Sequence, residues 1–198
     1  MNTEGPSPKL PVLLFHVSQR WVLFQSIVII LSLLWLSFSV LTAQHAQAEV
    51  IQIPQKGFSA PNFSLLDTQG QELQLEDFQG QAIILNFWAT WCPPCKAEMP
   101  DLQNVFIQKQ HSGVVVLGVN RTDQDNSLEL DRFLESYGIT FPVLLDSSGE
   151  IAKIYNISAL PTTYFIRPDG IIHKVIVGGP LPQALLLAEI QQMIQESP

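Results

Sequence analysis

Apolar positions along the 198-residue chain fall into three patterns. From Trp21 to Leu41 no charged residue occurs. That is about 21 residues, or roughly 31 Å of helix, enough to cross a bilayer. Two short runs, Gln81 to Trp88 and Val114 to Val119, are almost continuously apolar and read as strands covered on both faces. Other segments carry helical spacing. Cys95 to about Gln110 places Met99, Leu102, Val105 and Phe106 on one side, with Pro94 near its first position and Gly113 after its end. Pro100 inside that segment is expected to kink it or break its first turn. Asn126 to Tyr137, stopped by Gly138, and Pro182 to Ile194 complete the predicted helices.

Turn residues delimit the rest. Asn62 to Leu66 and Glu72 to Leu75 flank Asp67-Thr68-Gln69-Gly70 and predict a small hairpin, followed by a short turn over Leu75 to Phe78. Pro142 to Leu145 is a short strand, Asp146-Ser147-Ser148-Gly149 a turn, and Ile151 to Tyr155 a short helix. Thr162 to Arg167 and Ile172 to Val177 are strands joined at Pro168-Asp169-Gly170. Strands alternating with helices, then a hairpin and a closing helix, predict an α/β sandwich with a mixed sheet. Residues 42–57 read as a linker, and 58–198 as one domain.

Lys9 and Arg20 precede the long apolar stretch and favour a cytoplasmic segment over 1–20. The stretch 21–41 then acts either as a retained signal-anchor or as a signal peptide. Thr42-Ala43-Gln44-His45-Ala46-Gln47-Ala48 ends in an Ala-x-Ala pattern suited to cleavage after Ala48. Either way the expected location is the extracytoplasmic side, periplasmic or outer, in an oxidising compartment, and in the anchored form a single-pass cell-membrane protein.

Net charge is −8. Only Glu4, Lys9 and Arg20 carry charge in the first 48 residues, so the remainder holds about −9. No basic run or stripe occurs, which argues against nucleic acid and against electrostatic docking on anionic lipid.

The only two cysteines stand in Trp91-Cys92-Pro93-Pro94-Cys95-Lys96, between a predicted strand and a predicted helix. Cys-x-x-Cys in a strand–turn–helix junction makes a thiol–disulfide exchange site, because the two sulfurs reach each other and the helix N-terminus favours a thiolate. Cys92, at the exposed start of the turn, is the expected nucleophile, and Cys95, inside the first helical turn, the resolving thiol. A zinc site needs about four ligands, and His16, His45, His111 and His173 are scattered. Covalent haem needs His after the second cysteine, where Lys96 stands. A purely structural disulfide remains open, though a two-residue loop gains little from cross-linking. Pro93 and Pro94 have no N–H to offer a Cys92 thiolate, so that thiolate is expected to be only modestly stabilised, which favours a reductant.

These residues resemble the thioredoxin-fold family, within the redoxin/AhpC-TSA superfamily. They look most like the membrane-tethered TlpA/ResA-like oxidoreductases of bacterial cytochrome c maturation. The resemblance rests on Ala60-Pro61-Asn62-Phe63, on Leu85-Asn86-Phe87-Trp88-Ala89-Thr90-Trp91-Cys92-Pro93-Pro94-Cys95, on Gly138-Ile139-Thr140-Phe141-Pro142-Val143, and on Leu160-Pro161-Thr162-Thr163-Tyr164-Phe165. It covers about residues 58–196. It implies a thioredoxin fold whose mixed central sheet is flanked by helices, with an added N-terminal hairpin and a central insertion.

The resemblance also implies that Cys92 and Cys95 form the redox disulfide. Pro161 matches a cis-proline that leaves the Leu160 backbone free to pair with an extended substrate. Trp91, Pro93 and Pro94 then face the partner, while Trp88 belongs to the core. Asn86 departs from ordinary thioredoxin, where a buried Asp stands. Glu98, one turn after Cys95, matches an acidic residue of the ResA-like group. Its carboxylate can take a proton from Cys95, or it is an ordinary solvated helix residue. Implied partners are disulfide-bearing proteins such as apocytochrome c and a membrane thiol reductant. No cofactor beyond the redox-active disulfide, and no metal, is expected.

Two alternatives on the same fold remain. A thiol peroxidase shares the Ala60-Pro61-Asn62-Phe63 start, but its Pro-x-x-x-Thr-x-x-Cys pattern is missing, because Thr90 lies two residues before Cys92. A copper-binding or delivery module would use both thiolates, with Met99 as a candidate third ligand.

Overall fold

The computed structural model describes residues 19–45, 54–109 and 111–196. The predicted 1–20 segment up to residue 18, the linker over 46–53, the cleavage position at Ala48 and the predicted helix end at Gln110 lie outside the described residues. Two compact units result, Met1–Val50 and Ile51–Pro198.

In the first unit, α1 spans Gln19–His45. It runs four residues past the predicted end at Leu41, into what the sequence reads as linker. Its window Trp21–Phe38 has a mean hydropathy of 2.2, and its side chains are exposed. The helix is apolar all round rather than on one face, which suits lipid on every side. Two of its serines satisfy their hydroxyls within the helix: Ser26 donates to the Val22 carbonyl at 2.8 Å and Ser37 to the Leu33 carbonyl at 2.7 Å.

The second unit is built on a sheet. Its strands are β1 (Ser64–Leu66), β2 (Glu72–Gln74), β3 (Ala82–Trp88), β4 (Val114–Asn120), β5 (Val143–Leu145), β6 (Thr162–Ile166) and β7 (Ile172–Val177). Its helices are α2 (Pro93–Lys109), α3 (Ser127–Tyr137), α4 (Glu150–Ile154) and α5 (Gln183–Gln195). A 3-10 turn covers Leu75–Phe78. Five strands form one mixed sheet in the order β5-β4-β3-β6-β7. β3 and β5 run parallel to β4, while β6 runs antiparallel to β3 and to β7. β1 and β2 make the separate hairpin. A bridge from Asp67 to Leu144 lays that hairpin against β5 and covers an otherwise open edge. α3, β5 and α4 lie between β4 and β6 along the chain. Pro54 to Gly57, predicted as linker, belongs to this unit: the Gly57 N–H donates to the Ile172 carbonyl at 2.8 Å.

Alternation along β3 sorts the core into two layers. Ala82, Ile84 and Trp88 face the cluster containing Met99, Leu102, Phe133, Leu186 and Ile190, contributed by α2, α3 and α5. Ile83, Leu85 and Phe87 face the opposite cluster of Phe63, Leu75, Ile151 and Tyr155. Asn86 shares the face of Ile84 and Trp88, and is thereby aimed at α2.

α2 differs from the sequence expectation at both proline sites. It begins at Pro93, two residues early, so Pro93 and Pro94 fill its first two positions. No intrahelical partner is wanted from an N–H there, and proline's φ already suits a helix. It also runs unbroken through Pro100. The missing N–H would have served the Lys96 carbonyl, one turn from the helix start, and both Lys96 and Pro100 are exposed to water.

Gly118 sits opposite Asn86 in the register of β3 and β4. A Cβ there would meet Phe141 Cε2 and Trp88 Nε1, each at 2.9 Å. Both rings are packed in the core, so the contact cannot relax by swinging a free end. Gly118→Ala is expected to lower the unfolding free energy by about 1–3 kcal/mol, read as a shifted urea midpoint of the full chain in detergent micelles.

Candidate active site

β3 ends at Trp88, and the chain turns through Ala89 to Cys92 before α2 begins. The turn closes with the Cys92 N–H donating to the Ala89 carbonyl at 3.2 Å. Cys92 immediately precedes the helix and accepts the Lys96 N–H on its own carbonyl at 3.1 Å. This is the N-cap position, and its side chain behaves as a cap: Cys92 Sγ accepts from the Cys95 N–H at 3.3 Å. Because Pro93 and Pro94 have no N–H, the Cys95 N–H is the first donor this helix start can offer. The two sulfurs are bonded, at 2.10 Å.

The sequence places Cys92 at an exposed turn, and the structure corrects this. Cys92 is 2% exposed and Cys95 is fully buried. In the oxidised ring Cys92 joins the same core cluster as Cys95 and Met99, and its neighbour Trp91, 52% exposed, takes the outer position. Trp88 is fully buried, as expected. Met99 is also fully buried within that cluster, in a packing position.

The Leu160–Pro161 peptide bond is cis, as the resemblance implied. A second cis bond, Gly179–Pro180, had no counterpart in the sequence reading. It belongs to the β7–α5 connection, which closes over the site. A Cβ on Gly179 would lie 2.6 Å from Glu98 Oε2 and 2.7 Å from Pro161 Cγ. Only glycine admits this approach, which brings Glu98, Pro161 and the loop 178–182 together. The Gly178-Gly179-Pro180 run was the available signal.

Glu98 is fully buried, which removes the reading of a solvated helix residue. Its Oε1 accepts from Asn86 Nδ2 at 2.8 Å, and its Oε2 from the Leu181 N–H at 3.1 Å. Asn86 Nδ2 also donates to Thr163 Oγ1 at 2.9 Å, across the β3–β6 pair. Burial raises the Glu98 pKa from its ordinary 4.5 to about 7, against the lowering pull of the Asn86 and Leu181 hydrogen bonds. A carboxyl that titrates near neutrality can both take and return a proton at working pH. Asn86 thus fills the place of a buried acid and holds the acid that is present.

The arrangement is an oxidised two-cysteine ring at a helix start, beside a cis-proline and a buried proton-exchanging carboxyl. It can accept two electrons by opening the ring.

Comparison with known proteins agrees. Residues 57–175 match the model of the AhpC/TSA family. The thiol-disulfide oxidoreductase ResA of Bacillus subtilis (strain 168) is 38% identical over 143 residues, covering 72% of this chain and 77% of that protein. The ResA of Oceanobacillus iheyensis is 34% identical over 161 residues, covering 79% of this chain and 81% of that protein. Among solved structures, StoA from Bacillus subtilis superposes with a TM-score of 0.59 at 30% identity, over 70% of this chain and 98% of that one. A thiol:disulfide interchange protein of the thioredoxin family from Chlorobium tepidum TLS gives 0.63 at 28% identity, over 70% and 96%.

The buried carboxyl makes stability depend on pH in a defined direction. Since the folded value near 7 exceeds the ordinary 4.5, the folded chain holds a proton on Glu98 in that window that the unfolded chain has released. The contribution is fully present below about pH 4.5 and is lost as pH rises through about 7. Glu98→Gln is expected to remove a fall of about 3 kcal/mol in unfolding free energy between acidic and mildly alkaline pH. Urea midpoints across that range check it. The amide keeps only one acceptor for two donors, which adds an offset that does not vary with pH.

Proposed function

The chain belongs to the AhpC/TSA family and is a thiol–disulfide oxidoreductase of the ResA-like kind, and we propose that it works outside the cytoplasm as a reductant of protein disulfides. The observation that carries the direction is the donor set around Cys92. One N–H, from Cys95, reaches its sulfur, and the two prolines that open α2 supply none. A thiolate with few donors is less stabilised, and a less stable reduced form gives up its electrons more readily.

In the proposed cycle the reduced Cys92 thiolate attacks one sulfur of a partner disulfide. A Cys92–partner bond forms and the other partner sulfur leaves, taking a proton. The Cys95 thiol passes its proton to Glu98, one helical turn along, and attacks Cys92. The Cys92–Cys95 bond forms, the Cys92–partner bond breaks, and the second partner sulfur leaves with the proton that Glu98 took from Cys95. The partner gains two electrons from the dithiol, one proton from water in the first step and one from Cys95 by way of Glu98, and no cofactor beyond the disulfide is needed.

Leu160, ahead of cis-Pro161, offers backbone to the extended partner segment, and Trp91, Pro93 and Pro94 face it. By resemblance to the TlpA/ResA-like group the partner is apocytochrome c, whose haem-site cysteines must be reduced before attachment. A membrane thiol reductant would restore the dithiol. α1 would act as a single-pass anchor, with Lys9 and Arg20 on the cytoplasmic side and the catalytic unit beyond the membrane.

A trapping experiment tests this reading. Reduced full chain carrying Cys95→Ser, in detergent micelles, is mixed with an oxidised Cys-x-x-Cys-His peptide. A stable mixed disulfide at Cys92 is expected, while the unsubstituted protein turns the peptide over to the dithiol. Trapping by Cys92→Ser instead, or no peptide reduction by the unsubstituted protein, would contradict it.

A further inference from the structure

The loop 121–126, between β4 and α3, grips the approach to the active-site turn at three successive points. The Arg121 N–H donates to the Trp88 carbonyl at 2.9 Å. The Trp91 indole Nε1–H donates to the Gln124 carbonyl at 2.9 Å. Between them stands Asp125. Its Oδ2 accepts the Thr90 N–H at 2.6 Å and Asn120 Nδ2 at 2.8 Å. Its Oδ1 accepts the Thr90 hydroxyl and, at 2.9 Å, the Asn126 N–H. Thr90 is 4% exposed and lies two residues before Cys92.

This carboxylate is not spent on capping α3. The neighbouring Asn126 does that, accepting from the Leu128 N–H at 2.9 Å and the Glu129 N–H at 3.4 Å. Nor is the loop loose at its other side. Arg121 and Asp123 pair through two contacts of 2.8 Å, and the Asp123 N–H reaches the Asp146 carbonyl at the end of β5 at 3.2 Å. The loop is therefore a braced support, and Asp125 is the side chain through which it holds both donors of Thr90.

We propose that Asp125 is a positioning residue for thiol–disulfide exchange: it fixes the Thr90–Trp91 segment, so that Cys92 sulfur meets the partner disulfide in line and the exposed Trp91 ring keeps one orientation towards the partner. Exchange between sulfurs requires a near-linear approach, and small misplacements of an attacking atom cost rate steeply. The inference rests on Cys92 being the attacking sulfur.

The test uses reduced full chain in detergent micelles and an oxidised Cys-x-x-Cys peptide, with Asp125→Ala, Thr90→Val, Thr90→Ser and the combination of Asp125→Ala with Thr90→Val. Asp125→Ala is expected to slow exchange on the order of tenfold or more. Thr90→Val, which loses the hydroxyl donor, should slow it less. Thr90→Ser, which keeps that donor, should restore the rate. The combined variant should be no slower than Asp125→Ala, because both changes break one interaction. A unit that merely stabilises the fold would lower the urea midpoint of Asp125→Ala and leave the rate per folded molecule unchanged. That result overturns the proposal, as do multiplying rate losses in the combined variant. Trapping through Cys95→Ser is run alongside: if the peptide is captured at Cys92 while Asp125→Ala reacts at the normal rate, the positioning role fails and the nucleophile assignment stands.

Discussion

The hydrogen bond between Asn86 and Glu98 is the contact on which the site's assembly depends. A carboxyl at the centre of a domain is costly unless neighbours satisfy it. Here the neighbours come from β3, β6 and the β7–α5 loop. Asn86 brings β3, and through Thr163 it brings β6, the strand that follows cis-Pro161. The Leu181 N–H brings the β7–α5 loop, and Gly179 lets that loop lie against both the carboxyl and Pro161. The same desolvation that threatens stability raises the carboxyl's pKa to about 7. Structural cost and chemical usefulness have one origin.

The redox ring sits one turn away, under a different constraint. A helix start offers N–H groups that favour a thiolate, and two prolines withhold the first of them. What remains is one N–H, from Cys95, aimed at Cys92 sulfur at 3.3 Å. The prolines strengthen the helix start as a fold element while weakening it as an anion site. The backbone thus separates two properties that a helix N-terminus usually supplies together, and a moderate thiolate is what a reductant requires.

Much of this was legible in the sequence because it is local. Continuous apolar runs marked β3 and β4, Pro168-Asp169-Gly170 marked the β6–β7 hairpin, and the cysteine spacing marked the ring. Gly138 marked the end of α3, where the structure has a left-handed φ of 61°, while Asn126, read as the first helical residue, caps the helix from outside. Long-range geometry was not legible. Cys92 is buried in the core cluster while its neighbour Trp91 stays outside, a separation of adjacent residues that no local pattern marks. That Asn86 would hold Glu98 follows from β3 parity and the crossing of α2, and twelve residues separate the pair. The grip of Asp125 on Thr90 spans thirty-five residues and joins two loops with no shared pattern. Pro100 misled locally, because a solvent-facing carbonyl tolerates the missing donor.

Whether electrons flow from the Cys92–Cys95 dithiol to a partner is read from the reduction potential of that couple in the full chain. Equilibration against glutathione and dithiothreitol buffers, followed by thiol alkylation, gives the value. A reductant should show a potential near or below the roughly −270 mV of thioredoxin, fit for a donor that receives electrons from a membrane thiol. A value near the roughly −120 mV of DsbA would contradict it and make the protein an oxidant that inserts disulfides.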